Sequence, residues 1–472
     1  MRLRDYQQRD VERLRSAMKA TRRVLYVAPT GSGKTVLFAH IAHGVAAKNK
    51  RAIVLVHRIE LVKQTVEKLA AFGVTAGLVT AQRTERLEAG VVVAAVQTLD
   101  RRQTDLGRID LVVVDEAHHA VAATWERVLG RFEGAHVLGV TATPERLDGK
   151  GLEDVFDVMV EGPDVAQLAE QGYLARCRAF GRLAAVEDLK AIRTRRGDFD
   201  RKALSELMLR LPVTEAAVED YLEKGEGRPA FAFCVGRHHA EVVALAFADA
   251  GVPSANLDGG ASAGEREAVL EAFAGGEIQL LASCDLLTEG FDAPEAGVAI
   301  LLRPTKSLAL HRQIVGRVLR PKADGSSALL LDYSGNLLKH GLPDMAVRWS
   351  LEGREKTPGE PQPLTKLCPG CEALVPAIVR ECPECGHAFF QLGKEIEGIE
   401  PGAMTEIDFE QIVRLREMSY AQVLASARTF DDLKLIALAR RYADGWVYHQ
   451  ARDLGIEIPR RERVALRPLV DA

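Results

Sequence analysis

The stretch VLYVAPTGSGKT, residues 24–35, decides the fold of this chain. The apolar run VLYVA predicts a buried strand, and VLFAHIAHGVAA, which follows the loop APTGSGKT (28–35), has the spacing of a helix. A glycine-containing loop between a strand and a helix turns its backbone N–H groups towards phosphate. The pattern predicts a nucleotide-binding loop in which Lys34 reaches the terminal phosphates and Thr35 ligates Mg²⁺. The loop residues expected to contact the nucleotide are Pro29, Thr30, Gly31, Ser32, Gly33, Lys34 and Thr35.

Further apolar runs alternate with helical patterns on both sides of a more polar interval. They are AIVLV (52–56), VVVAAV (91–96), LVVVD (111–115), HVLGV (136–140), AFAFCV (230–235), SANLD (254–258), IQLLAS (278–283), AGVAILL (296–302) and SALLLD (327–332). Strands without polar alternation, separated by helices, are typical of parallel sheets covered on both faces. The sequence therefore predicts an α/β protein with two tandem domains, 1–162 and 229–350, joined by a helical linker or the start of the second lobe at 163–228.

An acidic pair follows one of these predicted strands, in the run LVVVDEAHHA (111–120). Carboxylates at the end of a buried strand are explained by a cation or by a reaction, although a helix cap would also account for them. Beside a phosphate loop, Asp115 is expected to hold Mg²⁺ and Glu116 to position and deprotonate the attacking water.

Four motifs in this order resemble those of superfamily 2 helicases of the DEAD/DEAH-box type. They are APTGSGKT (28–35), DEAH (115–118), TAT (141–143) and QIVGRVLR (313–320). The resemblance implies two RecA-like domains that hydrolyse ATP between them and move on nucleic acid. It is closer to the DNA-processing members than to RNA helicases. More loosely, DYSGNLLKHGLPD (332–344) and the C-terminal extension resemble phage- and prophage-type helicases.

The same resemblance implies roles for further residues. Gln7 would read the adenine, Gly290 and Asp292 would face the nucleotide, and Gln313, Arg317 and Arg320 would complete the catalytic site from the second domain. Helical spacing of three would place the two arginines on one face, as arginine fingers. Residues that would couple the ATP site to strand binding are His118, Thr141 and Thr143. Residues that would contact the nucleic acid are His57, Arg58, Gln97, Thr98 and Thr288.

Four of the seven cysteines form two CxxC pairs, CPGC (368–371) and CPEC (382–385). Two such knuckles can close a tetrahedral site, so Cys368, Cys371, Cys382 and Cys385 are expected to bind a structural Zn²⁺. The pattern predicts a Pro-rich linker at 351–366, a zinc ribbon at 367–392 and a helical C-terminal region at 402–472. The ribbon could touch DNA, a protein partner or the motor itself, and the helical tail is another candidate surface for protein partners.

Composition argues against a disordered, a fibrous or a membrane-spanning protein. Hydrophobic residues at 47% and charged residues at 27% are those of a folded globular protein, and no apolar run is long enough to span a membrane. We therefore expect a cytoplasmic protein. The net charge of −4 carries no global basic signature, so nucleic acid must be bound by local surfaces. The basic run RTRRGDFDRK (193–202) is either such a surface or a solvated loop of mixed charge.

Three alternatives to a DNA helicase or translocase stay open. The chain could be the motor subunit of a restriction or defence complex, an ATP-dependent clamp, or an RNA helicase. Intact Glu116, Arg317 and Arg320 argue against an inactive clamp. The tail contains no convincing nuclease motif, so cleavage would require another polypeptide. The shared motifs report the motor and not its outcome, which leaves replication, recombination, repair and phage-related processing all possible.

Overall fold

A computed structural model provides the structure of the chain in two compact units, Met1–Phe390 and Gln391–Ala472. The described residues are 2–102, 104–120, 123–145, 151–182, 189, 192–195, 197–210, 212–257, 260–284, 294–352, 364–389, 415, 418–440, 442 and 444–458.

The first domain is built on an eight-stranded sheet with the spatial order β4-β3-β5-β2-β6-β7-β1-β8. Its strands are β1 Arg23–Val27, β2 Ala52–Val56, β3 Gly77–Val79, β4 Thr84–Glu85, β5 Val91–Ala95, β6 Leu111–Asp115, β7 His136–Thr141 and β8 Val158–Glu161. All neighbours are parallel except β3 and β4. The helices are α1 Asp5–Ala20, α2 Lys34–Ala46, α3 Ile59–Ala70, α4 Val96–Arg101 and α5 Ala123–Gly130, with a 3-10 turn at Ala117–His119.

The central strands of this sheet are buried throughout, which explains their unbroken apolar sequences. Separate hydrophobic clusters cover its two faces, one including Phe38 and Val54 and the other Trp125 and Phe156. Because the strands are parallel, their carboxyl ends meet at one edge, where the nucleotide loop and the acidic pair also lie.

The second domain has a six-stranded parallel sheet with the order β13-β14-β12-β15-β16-β9. Its strands are β9 Cys177–Gly181, β12 Ala230–Phe233, β13 Ser254–Leu257, β14 Leu280–Ser283, β15 Val298–Leu301 and β16 Ala328–Asp332, and a separate hairpin is formed by β10 Thr194–Arg195 and β11 Asp198–Phe199. The helices are α6 Val165–Glu170, α7 Arg201–Arg210, α8 Val213–Lys224, α9 Arg237–Asp249, α10 Ala263–Ala274, α11 Leu308–Gly316 and α12 Asn336–His340.

The interval 163–228 contributes more than the helices expected of it. β9 is an edge strand of the second sheet, paired with β16. Leu204 and Tyr221, on α7 and α8, are buried in the core of the second domain. The charged CRAFG sequence of β9 hid this strand, because an edge strand tolerates polar residues that a central strand excludes.

The cysteine-rich segment adds a small antiparallel pair, β17 Thr365–Leu367 and β18 Leu374–Pro376. Phe180 of β9 forms an antiparallel bridge with Ala373, and Arg178 pairs with Glu384 at 2.7 Å. Cys368 and Cys382 are buried in the same hydrophobic cluster as the second sheet. Of the three surfaces that the sequence leaves open for the cysteine-rich segment, the structure shows contact with the second domain.

The C-terminal unit contains three described helices, α13 Tyr420–Ser426, α14 Phe430–Arg440 and α15 Asp444–Asp453. Its small core includes Val423, Leu433, Ile436 and Val447, whereas Trp446 is only partly buried against it. Among the described residues of both units, no helix is long and apolar enough to cross a membrane.

Candidate nucleotide site between two domains

The nucleotide loop lies where the sequence predicts it, between β1 and α2. Gly31 and Gly33 have φ angles of +84° and +79°, a left-handed conformation that other residues adopt only with strain. Gly33 is the N-cap of α2, so the loop passes directly into the helix terminus whose free N–H groups favour phosphate. Lys34 Nζ donates to the carbonyl oxygens of Ala28 at 3.0 Å and Pro29 at 3.2 Å.

The acidic pair faces this lysine from the end of β6. Burial raises the pKa of Asp115 to about 7, and the neighbouring Glu116 carboxylate adds to the shift. Burial lowers the pKa of Lys34, against the attraction of Glu116 and Asp115. Glu116 has a left-handed backbone, φ +50°, and among the described residues its buried Oε2 has only the 3.4 Å contact with His118 Nδ1, which is too poorly aligned for a hydrogen bond. Such a strained, under-satisfied carboxylate is typical of an active site.

These groups fit ATP with Mg²⁺. Asp115 is a buried carboxylate that would offer oxygen ligands to a cation, and Lys34 is held at the loop by two carbonyl oxygens that a phosphate would replace. Ser32 Oγ is buried and, in the described part of the chain, has no hydrogen-bond partner. A bound Mg²⁺ would supply charge neutralisation on the phosphates.

Gln7 lies against the nucleotide loop. Its Nε2 donates to the carbonyl oxygens of Ser32 and Gly33, both at 3.2 Å, and its Oε1 accepts from the Arg4 N–H at 3.0 Å. The amide is thus positioned by the loop and by its own helix start. Its predicted contact with adenine stays a prediction.

A hydrogen-bonded bridge crosses the cleft from the DEAH segment to the second domain. His118 Nε2 lies 3.4 Å from Gln313 Nε2, and His118 Nδ1 lies 3.2 Å from Thr141 Oγ1 and 3.4 Å from Glu116 Oε2. Thr141 Oγ1 in turn donates to the Thr143 carbonyl at 2.8 Å. The residues expected to couple the ATP site to strand binding are therefore in contact with each other and with Gln313, while their coupling role stays a prediction.

The two arginines reach the nucleotide loop, but not from one face of a helix. α11 ends at Gly316, Arg317 is its C-cap, and Arg320 lies beyond it, so the expected helical spacing is wrong. The chain turns there because Val318 and Leu319 are buried and the Ala175 N–H donates to the Leu319 carbonyl at 2.7 Å.

Contacts with the loop come from both sides of that turn. The Arg317 charge lowers the pKa of Lys34, and the Arg320 side chain lies against Gly31, where Arg320 Cγ would be 3.9 Å from an added Cβ. Burial lowers the pKa of Arg320. The Arg317 charge therefore acts on the nucleotide loop, and the aliphatic part of Arg320 packs against it.

The predicted strand-contacting residues of the first domain share the same sheet edge. Gln97 Nε2 donates to the His57 carbonyl at 3.0 Å, which joins the loop after β2 to the start of α4. Arg58 is the N-cap of α3, and Thr98 lies on α4. Thr288, Gly290 and Asp292 fall outside the described residues.

Sequence reasoning missed several contacts at this site. The His119 ring lies 4.6 Å from the His57 ring and 4.1 Å from the His118 ring, so it joins the strand-contacting loop to the DEAH segment. Tyr6 donates to the Ser32 carbonyl, and its ring lies 5.3 Å from that of Tyr173. The adjacency of Tyr6 to Gln7 was a usable signal, whereas nothing in the sequence pointed to Tyr173.

The four cysteines converge as predicted. Cys368 Sγ lies 3.7 Å from Cys385 Sγ, and Cys371 Sγ lies 3.7 Å from Cys382 Sγ, with all four sulfurs within 4.8 Å of one another. Zinc–sulfur bonds of about 2.3 Å in a tetrahedron imply sulfur separations of about 3.8 Å. The Gly370 N–H donates to Cys368 Sγ at 3.4 Å, as in a metal-binding knuckle. The cluster has the geometry to hold a metal ion.

Comparisons with known proteins agree with this geometry. Residues 1–146 match the family described as "Type III restriction enzyme, res subunit", and residues 214–322 match "Helicase conserved C-terminal domain". A 51.5 kDa protein of Lactococcus phage (isolate 7-9) is 31% identical over 83% of this chain and 83% of its own length.

More distant relatives have functional names. "Putative ATP-dependent helicase IRC3" of Saccharomyces cerevisiae is 29% identical over 71% of this chain, which spans only 51% of that protein. "DNA 3'-5' translocase XPB2" of Sulfurisphaera tokodaii is 25% identical over 70% of this chain and 81% of its own length.

A solved structure supports the fold. It is a fragment of a "putative HsdR subunit of a type I restriction enzyme" from Vibrio vulnificus YJ016, with a TM-score of 0.57 and 23% identity, covering 72% of this chain and 67% of that one. The motifs, the shared site between two RecA-like domains and these relatives together show that the chain belongs to the superfamily 2 helicases, a family of ATP-dependent helicases and translocases.

Proposed function

We propose that DNA, in preference to RNA, is the track of this motor, and that closure of the cleft by ATP moves the two domains along it. The observation that carries the closure of the cleft is the His118–Gln313 bridge, which joins the DEAH segment to the helix leading to both arginines. The name of the archaeal relative supports DNA as the track. We expect the protein to act in the cytoplasm.

The residues divide the chemistry between the domains. In the first domain, Lys34 binds the terminal phosphates and Glu116 takes a proton from the attacking water. Arg317 and Arg320 stabilise charge on the transferred phosphoryl group from the second domain, an effect worth about 10³ to 10⁵ in rate where it has been measured. Because the arginines belong to the other domain, phosphate release weakens the closed state, and repeated closure would advance the protein along a strand.

Steady-state ATP turnover tests the proposal. It is measured without nucleic acid and with single-stranded DNA, duplex DNA, forked DNA or RNA at equal nucleotide concentration, with Glu116→Gln as the blank. We expect DNA to raise turnover many-fold and the variant to abolish it. Strong stimulation by RNA and none by DNA would refute the preference for DNA, and turnover indifferent to every nucleic acid would refute the motor.

We also propose that the ion held by the four cysteines is zinc and that its role is structural. All four ligands are protein thiols, which leaves no open position for catalysis. Metal content by mass spectrometry of the purified protein should give about one equivalent of zinc. Less than about half an equivalent in the wild type would contradict the assignment.

A second candidate is the motor subunit of a restriction or defence complex. The match of residues 1–146 to the restriction-enzyme family favours it. In that case a nuclease on another polypeptide should co-purify with the chain, and DNA cleavage should require ATP and intact Glu116. Stimulated turnover by the isolated chain together with strand displacement would favour an autonomous helicase.

A further inference from the structure

The hairpin of β10 and β11, which no motif explains, is fixed at the carboxyl edge of the second sheet. Asp198 Oδ2 accepts from Thr305 Oγ1 and Asp198 Oδ1 accepts from the Lys306 N–H, both at 2.7 Å. Lys306 Nζ donates to Thr194 Oγ1 and lies 4.8 Å from the centre of the Phe199 ring, which packs on the domain core. A solvated loop would not need these anchors.

Both aspartates of the basic run form contacts within the domain. Residues 193–202 contain five Arg or Lys and two Asp residues, a formal charge of +3. Asp198 is held by the domain, and Asp200 accepts from the Ala203 N–H at 3.2 Å and pairs with Arg195 at 3.2 Å. Arg193 is exposed, and the Arg195 side chain remains 80% exposed despite its pairing. The outer surface of the hairpin is therefore basic.

The hairpin lies at the carboxyl edge of the second sheet and is connected to α11. Parallel strands β12, β14 and β15 all end at this edge. The hairpin is anchored to Thr305, whose Oγ1 also accepts from the Ser307 N–H at 3.0 Å. Ser307 is the N-cap of α11, so the hairpin is tied to the start of the helix that carries Gln313.

We propose that this hairpin is a nucleic-acid contact of the motor, in which Arg193 and Arg195 bind the phosphate backbone of the track. The inference deepens the proposed function and rests on it. Arginine suits the role because its guanidinium forms charge-assisted hydrogen bonds with phosphate oxygens. Such contacts position the strand without reading its sequence, which suits an element of a translocating motor.

The test compares two double variants of the full chain. Arg193→Ala/Arg195→Ala removes the proposed contacts. Arg86→Ala/Arg108→Ala is the matched control, because both arginines are exposed and lie at the edge strand β4 and the loop before β6 in the first domain. Both proteins are checked for an unchanged melting temperature. DNA binding is then measured by fluorescence anisotropy, and the DNA concentration for half-maximal ATP turnover is measured from 50 to about 200 mM salt.

We expect the hairpin variant to bind DNA about 10-fold more weakly and to need about 10-fold more DNA for half-maximal turnover. The slope of log affinity against log salt should fall by about 1.4 on a single strand or about 1.8 on a duplex, since two phosphate contacts are lost. The control should match the wild type. Equal affinity and slope in the hairpin variant and the wild type would overturn the proposal, whereas a wild type that DNA does not stimulate would overturn the proposed function instead.

Discussion

Replacing Gly316 by alanine should hold the cleft open. Gly316 is the last residue of α11, and a Cβ built on it would lie 2.6 Å from Thr30 Cβ in the nucleotide loop. Carbon atoms pack at about 3.5 to 4.0 Å, so the two domains must separate by about 1 Å at this point. Neither Cβ can swing away, because each is fixed to its backbone. The separation also withdraws Arg317, the next residue, from the phosphate site.

A displacement of about 1 Å at a catalytic group costs about 100-fold in rate, or about 2.7 kcal/mol of transition-state stabilisation. We expect Gly316→Ala to lower DNA-stimulated kcat by that order. Binding of ATP, measured with a fluorescent analogue, should change little because the loop and Lys34 belong to the first domain. The assay is steady-state turnover at saturating DNA and ATP.

Two further variants make this prediction sharp. Gly264→Ala, on helix α10 of the same domain, is the matched control, because nothing lies within 4 Å of its added Cβ. Thr30→Gly removes the opposing Cβ, so in the Gly316→Ala background it should return part of the lost turnover relative to Thr30→Gly alone. If Gly316→Ala turns over at the wild-type rate, the close approach of α11 to the loop is not part of the hydrolysing state and the reasoning is wrong.

Three other perturbations test the nucleotide site and the cysteine cluster. His118→Ala and Gln313→Ala should each lower DNA-stimulated ATP turnover about 10-fold or more. The double variant should lose little more turnover than either single variant, since both substitutions remove the same bridge. Additive losses would contradict a shared role of the two side chains. Burial raises the pKa of Asp115 to about 7, whereas the same carboxyl in the unfolded chain has a pKa near 4. Between these two values the folded protein keeps a proton on Asp115 that the unfolded chain has lost. The contribution of Asp115 to the free energy of unfolding therefore falls as the pH rises from about 4 to 7. Deprotonation favours Mg²⁺, so the rise in melting temperature with ADP and Mg²⁺ should be larger at pH 8 than at pH 6, and Asp115→Asn should remove that difference. Cys382→Ser should lose zinc and lower the melting temperature of the second domain, because Cys382 is buried in that domain's core. Loss of zinc with an unchanged melting temperature would show that the ribbon does not stabilise the sheet.

Local patterns predicted the central strands well and placed the nucleotide loop and the acidic pair at strand ends, where they lie in the structure. The runs at 52–56 and 111–115 became strands with those bounds, because buried parallel strands leave unbroken apolar sequence. The cysteine cluster followed from ligand spacing alone. The edge strand β9 was not predicted, since one side of an edge strand does not select for apolar residues.

Contacts between distant segments could not be predicted in the same way. The expected helical spacing of Arg317 and Arg320 failed because burial of Val318 and Leu319, a tertiary requirement, ends α11 first. The three-histidine contact of His57, His118 and His119 likewise depends on two strand ends meeting at one sheet edge. Spacing reports neighbours along one element, whereas these contacts depend on topology.

The basic run at 193–202 shows what a structure adds to two interpretations that the sequence leaves open. By charge alone, its acidic residues would weaken a phosphate contact. In the folded chain, Asp198 accepts hydrogen bonds from the Thr305 hydroxyl and the Lys306 N–H, so its carboxylate anchors the hairpin and faces the domain. Asp198→Asn keeps the shape but weakens that anchor. On the proposed role of the run, this variant should leave DNA affinity near that of the wild type, because the exposed arginines remain. It should lower DNA-stimulated ATP turnover, because Asp198 links the hairpin to the start of α11.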